Sequence, residues 1–238
     1  MKRSLSVIAL AIAMVFSTPA AYAYNGEASA ALSIKRQADT LIAAVDENAL
    51  MADAMANVVD DSVPSSIRER IGASAEFISA DTAYNDEIEV EVNSTVQKVG
   101  EIDCGDGDTA NLYVAVAAAE LKTDSAANMK LGANAWTYVY WFDHEGPENE
   151  LYAIKARWDT SDCPYAVYDK VVKYGVVDPV VATLWLDGPT FLYLADSIDD
   201  YYLLCREEYY GLTFKCVSEV EIGNYGTLVC VAYSLYTT

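Results

Sequence analysis

Two periodicities divide the chain. From Ala28 to Asp61, Ile34, Ala38, Leu41, Val45, Asn48, Ala52, Met55 and Val59 recur in alternating steps of four and three, with Ile42, Ala49 and Ala56 beside them. All but Asn48 are small or apolar, so the spacing predicts one long amphipathic helix. Asp60, Asp61, Ser62 and Pro64 end it, because the residue before a proline is pushed out of the helical region. The stripe requires a surface to cover. Asn48 and the many alanines make a weak coiled-coil seam, which favours docking on the domain that follows over a free arm for a partner.

After Pro64 the period falls to two. Ile88, Val90 and Val92 alternate with Glu87, Glu89 and Glu91, as a half-buried antiparallel strand requires. Further strands are expected near 74–80, 111–119, 135–143, 150–158, 166–177, 180–186, 212–222 and 227–236. The run CGDGDT at 104–109, Asp178-Pro179 and Asp187-Gly188-Pro189 serve as breaks between them. Ser197 to Tyr210 is ambiguous: Ser197 and Gly211 suit the start and end of a short helix or irregular excursion, which is the expectation taken, while YYLLC inside fits a strand equally. Many short strands without intervening helices predict a mainly β chain with an N-terminal helix: an antiparallel β-sandwich, immunoglobulin-like or related. The expected organisation is a leader at 1–23, a helical segment at 24–64 and the sandwich at 65–238.

The stretch AWTYVYWFDHEGPENELYAIKARW, residues 135–158, concentrates aromatic residues and the single histidine. Folded as a hairpin around His144 to Asn149, its simplest register sets Phe142 opposite Leu151, Tyr140 opposite Ala153, Tyr138 opposite Lys155 and Trp136 opposite Arg157. Val139, Trp141, Tyr152, Ile154, Ala156 and Trp158 then share the opposite, wholly apolar face, which belongs in a core. The first face has three readings. It is a self-satisfied surface ladder with Lys155 and Arg157 stacked near the rings, a floor covered by the N-terminal helix, or a ligand platform in which Trp136, Tyr138, Tyr140, Lys155 and Arg157 hold a glycan or peptide.

The ends and the charge add location. Lys2 and Arg3, an apolar run from Leu5 to Phe16, and Ala21-Tyr22-Ala23 have the form of an export signal cleaved near Tyr24. The trimmed chain carries 13 basic and 36 acidic residues, a net charge of −23. A polyanion of that size repels phosphate backbones, so nucleic acid is excluded as a partner. Nothing after the leader is expected to insert in a membrane. An exterior location permits disulfides among Cys104, Cys163, Cys205, Cys216 and Cys230. In the C-terminal hairpin, however, a turn at Gly223 to Gly226 sets Cys230 opposite Glu219, on the other face from Cys216, so these two are expected to stay unbonded to one another.

Candidate chemistry is sparse. Asp143-His144-Glu145 has no accompanying Gly-x-Ser-x-Gly or His-Glu-x-x-His, and no catalytic residue is assigned. Asp103, Asp106 and Asp108 crowd a glycine-rich loop that offers hard oxygen ligands to Ca²⁺, though the spacing departs from an EF-hand. Otherwise no cofactor is expected. The sequence therefore reads as a secreted bacterial protein acting as an extracellular binding or interaction module. The alternatives are a secreted glycan hydrolase with unassigned carboxylates and a structural or self-assembling surface protein.

Overall fold

The computed structural model describes residues 18–80, 88–105, 107–121, 132–143, 149–176, 190–194, 200–211 and 214–234. The strand expected at 180–186, His144 and most of the leader lie outside them. The helices are α1 (Thr18–Ala43), α2 (Glu47–Met55) and α3 (Ser65–Arg68). The strands are β1 (Ile71–Ser79), β2 (Val90–Gly105), β3 (Asp108–Leu121), β4 (Asn134–Asp143), β5 (Asn149–Asp159), β6 (Val167–Val176), β7 (Thr190–Leu194), β8 (Asp200–Gly211), β9 (Phe214–Ile222) and β10 (Gly226–Ser234).

The chain is mostly antiparallel β, and among the described residues the strands form two five-stranded sheets. The first runs β1-β10-β9-β6-β7 and the second β2-β3-β4-β5-β8. They share one core. Trp141 of the second sheet lies 5.2 Å from Phe214 of the first, ring centre to ring centre. Thr137 donates to the Cys230 carbonyl at 2.9 Å and meets Ser218 Oγ at 2.6 Å, so these polar groups are paired across the layers. The middle strands of the second sheet are buried on both faces. Tyr113, Ala115, Ala117 and Ala119 of β3 turn to the first sheet, while Leu112, Val114, Val116 and Ala118 turn to α1 and α2. Small residues at these positions let both neighbouring layers approach closely.

The expected single helix is two. It breaks at Ala44 to Asp46, where the Asp46 carboxylate accepts from the amides of Asn48 and Ala49, both at 3.1 Å, and caps a new helix. The break resets the phase of the stripe. Ala38 is buried and Ile34, Leu41, Ile42 and Val45 pack beside it, but beyond the break the buried positions are Leu50 and Ala54, and Asn48, Ala52 and Val59 face water. The chain then rounds the edge of β2 and places Val63 and Ile67 in the core between the sheets. Among the described residues no helix is long and apolar enough to cross a membrane.

Four further expectations are corrected. The 200–211 part of the ambiguous segment is strand β8, paired with β5. In the aromatic hairpin Tyr140 faces Ala153 as expected, yet Trp141 faces Leu151 and Phe142 faces Glu150, leaving Tyr152 as the extra residue of a bulge. Leu151 thereby turns to the core between the sheets and Tyr152 to the helices, the reverse of the simple register. In the C-terminal hairpin Cys230 faces Ser218 rather than Glu219, and Cys216 faces Ala232. The two cysteines thus share the core face in diagonal positions. None of Cys104, Cys163, Cys216 and Cys230 is in a disulfide, so the expected bridging is absent among the described residues.

Candidate functional site

The hairpin brings the five platform residues to one face, where the helices cover Trp136, Tyr138, Tyr140 and Lys155 while Arg157 is half-buried. Tyr138 pairs with Lys155 and Trp136 with Arg157 in the expected register. The rings are closed off rather than open: Trp136 is 7% exposed, Tyr138 0% and Tyr140 1%. Ala38, Leu50 and Ala54 cover them, and a face expected as either platform or packing is an interior surface.

The polar groups on this face hold the helices down. Tyr152, turned upward by the bulge, donates to Asp39 Oδ1 at 2.8 Å and to the Lys35 carbonyl at 3.1 Å on α1. Lys155 Nζ lies 2.5 Å from Glu47 Oε2 at the start of α2 and 3.1 Å from Asp200 Oδ1 at the start of β8. Its side chain is only 7% exposed, so its charge is neutralised locally by two carboxylates. The same ammonium sits 5.9 Å from the centre of the Tyr138 ring. Burial, followed by the nearby Glu47 carboxylate, raises the Tyr138 and Tyr140 phenols far above their ordinary range. Burial and then the Asp39 bond do the same for Tyr152. All three therefore remain protonated. The Tyr138 hydroxyl and Trp136 Nε1 are buried with no hydrogen-bond partner in this structure.

The candidate calcium loop is a tight hairpin turn. Gly105 pairs directly with Asp108, and Gly105 and Gly107 take φ of 92° and 90°, which only glycine adopts without strain. Asp103 Oδ1 accepts from the Gly105 amide at 2.8 Å. Asp106 lies outside the described residues, and among those described no three ligand-type side chains converge. Burial, with Asp103, Asp108 and Glu150 around it, raises the Cys104 thiol. Beside the undescribed His144, Asp143 pairs with Arg70 at 3.4 Å.

The feature that sequence reasoning missed concerns the strand edges. β2 is an edge strand, and residues of the helical segment cover it. The Gln37 amide both accepts from Asp103 N at 3.1 Å and donates to Asp103 O at 3.0 Å, as a neighbouring strand would. Asn57 Oδ1 accepts from Ser94 N at 3.5 Å, Asp60 from the Lys98 amide, and the Val58 carbonyl from Thr95 Oγ1 at 2.9 Å. β1 is the corresponding edge of the first sheet. Ala80 N donates to Tyr225 O in continuation of the β1–β10 register, so the even-numbered residues of β1 direct their backbone bonds to β10. The odd-numbered Ala73, Ala75 and Phe77 direct theirs outward, where no described residue bonds them. No local sequence signal marks β1 as an edge, since strand order is set by distant pairings.

Comparison with protein-family models, curated proteins and solved structures finds no match to this chain.

Proposed function

We propose that the chain is an exported bacterial interaction module: a β-sandwich of the immunoglobulin-like or related kind, trimmed near Tyr24, that engages protein partners through the open edge of β1. One observation carries this reading. The helical segment covers the edge of β2 with side-chain bonds, whereas Ala73, Ala75 and Phe77 on β1 present backbone donors and acceptors outward. An uncovered edge is a template for strand addition, in which main-chain bonds supply affinity and alternate side chains supply selectivity. The aromatic and charged groups of the hairpin support it indirectly, because they are engaged in holding the helices to the second sheet.

Two experiments test the reading. Mass spectrometry of the natural product should find a chain beginning near Tyr24; an intact Met1 form recovered from cytoplasm contradicts export. A photo-cross-linking residue at exposed Ser74, beside the edge, should give protein adducts that the same probe at exposed Asn48 on α2 does not. Adducts from Asn48 alone would move the binding surface to the helices.

The glycan-hydrolase reading gains one specific pair. Glu47 and Asp200 both reach one ammonium nitrogen, so the two carboxylates are close neighbours, as the catalytic pair of a glycosidase must be. Lys155 occupies the place between them that a glycosidic oxygen would need, which makes the pair a clamp in this conformation. Hydrolysis of a glycan that Glu47→Gln abolishes would restore that reading.

A further inference from the structure

The open edge of β1 has chemistry suited to one partner in particular. We infer that β1 pairs antiparallel with β1 of a second copy, about a two-fold axis at Ala75, and joins two first sheets into one continuous ten-stranded sheet. This inference rests on the β1-edge reading and adds the identity of the strand and its register.

The register follows from the groups available. A two-fold axis through Ala75 sets Ala75 against Ala75 of the second copy and Ala73 against Phe77 of the second copy. These residues carry the outward backbone groups, so the two chains exchange bonds in both directions. It also overlaps the whole strand, Ile71 to Ser79. An axis at Glu76 would place two carboxylates directly opposite one another, and an axis at Ser74 would leave Ile78 opposite Arg70 beyond the strand.

The outer face fits the same register. Ser74, Glu76 and Ile78 are exposed there, and Ile78 is 54% exposed although large and apolar. With the axis at Ala75, Glu76 faces Ser74 of the second copy, where no like charge opposes it. Ile78 faces Gly72 of the second copy. The Tyr233 ring lies over Gly72 so closely that a Cβ there would stand 2.5 Å from it. Ile78 therefore meets an aromatic ring that fills the space above a glycine, a favourable cross-strand arrangement. On the inner face Ala73, Ala75 and Phe77 already pack on the core between the sheets, so pairing leaves those contacts in place.

Two trimmed chains of net charge −23 repel, so self-association should strengthen as salt rises, opposite to an interface held by ion pairs.

The test measures sedimentation of the exported chain over a concentration series, with substitutions that read the register. Wild type should show a reversible monomer–dimer equilibrium. Ser74→Glu faces Glu76 twice across the axis and should weaken the dimer roughly 2- to 30-fold, and Ser74→Lys should strengthen it by a similar factor. Adding Glu76→Lys to Ser74→Lys sets lysines opposite one another twice across the axis and should weaken the dimer although the net negative charge falls, which a general effect of charge would not do. A chain that stays monomeric at its highest soluble concentration and moderate salt overturns the inference, as does a dimer indifferent to all three variants. Adducts from Ser74 to other proteins, on a chain that is monomeric, would remove the second copy and leave the β1-edge reading standing. The absence of any adduct from Ser74 would remove both.

Discussion

Tyr152 illustrates how much one inserted residue decides. LYAIKARW carries apolar side chains at both Leu151 and Tyr152, so no polar residue marks which of them points to which layer, and the bulge was not legible. Its outcome is physical: the hydroxyl finds Asp39 and the Lys35 carbonyl instead of entering the core between the sheets. Tyr152→Phe should therefore cost about 1–2 kcal/mol, read as a lowered denaturation midpoint. Replacing Trp136 and Tyr138 together with alanine should cost several kcal/mol, since deletion of a buried aromatic costs ~3–5 kcal/mol; a thermal melt with no change would mean that the rings are open. The titrating groups give two windows. The Cys230 thiol is pushed up to about 12 by burial, only partly offset by its bonds to Thr137. The unfolded thiol ionises first, so this contribution is intact below about pH 8.5 and is lost as pH rises towards 12. For Asp60, burial raises the carboxyl, but bonds from the Ser62 side chain and backbone and from the Lys98 amide, together with Arg68, outweigh it and hold it low. Its contribution is present above the ordinary aspartate value and is lost as pH falls through the lowered one. Acid titration followed by tryptophan fluorescence and alkaline titration followed by thiol reactivity should reveal these two limits.

The N-terminal helices pack as one layer on the second sheet rather than as an appendage. The four-and-three spacing was legible as helix because Ile34, Ala38, Leu41 and Val45 keep phase over three turns. The break was legible in principle from Asp46 ahead of Glu47 and Asn48, an N-cap signal that the continuing apolar spacing concealed. β8 was obscured for a different reason: YYLLC fits either period over so short a span, and only pairing with β5 decides it. Removing residues 24–61 should lower the melting temperature of the remainder and promote aggregation, since it bares the aromatic face and releases Gln37, Asn57 and Asp60 from the edge of β2. A soluble remainder with an unchanged melt would mean that the helices serve another chain.

At the scale of the molecule, the antiparallel class and most of the described strands were legible because turn signals and period two recur along the chain, whereas β7 and β8 were not. The order of strands was not. Whether β1 or β2 lies at an edge, and which edge is covered, depends on contacts across the chain, such as Gln37 with Asp103 and β1 with β10. The functional reading turns on that difference. Amide hydrogen exchange of the dilute chain, resolved residue by residue, tests it most directly. The account predicts an alternation along β1: rapid exchange at Ala73, Ala75 and Phe77 and slow exchange at Ser74, Glu76 and Ile78, with the rapid set becoming protected as concentration rises. Uniform slow exchange along β1 at every dilution, or an alternation of the opposite parity, would contradict it.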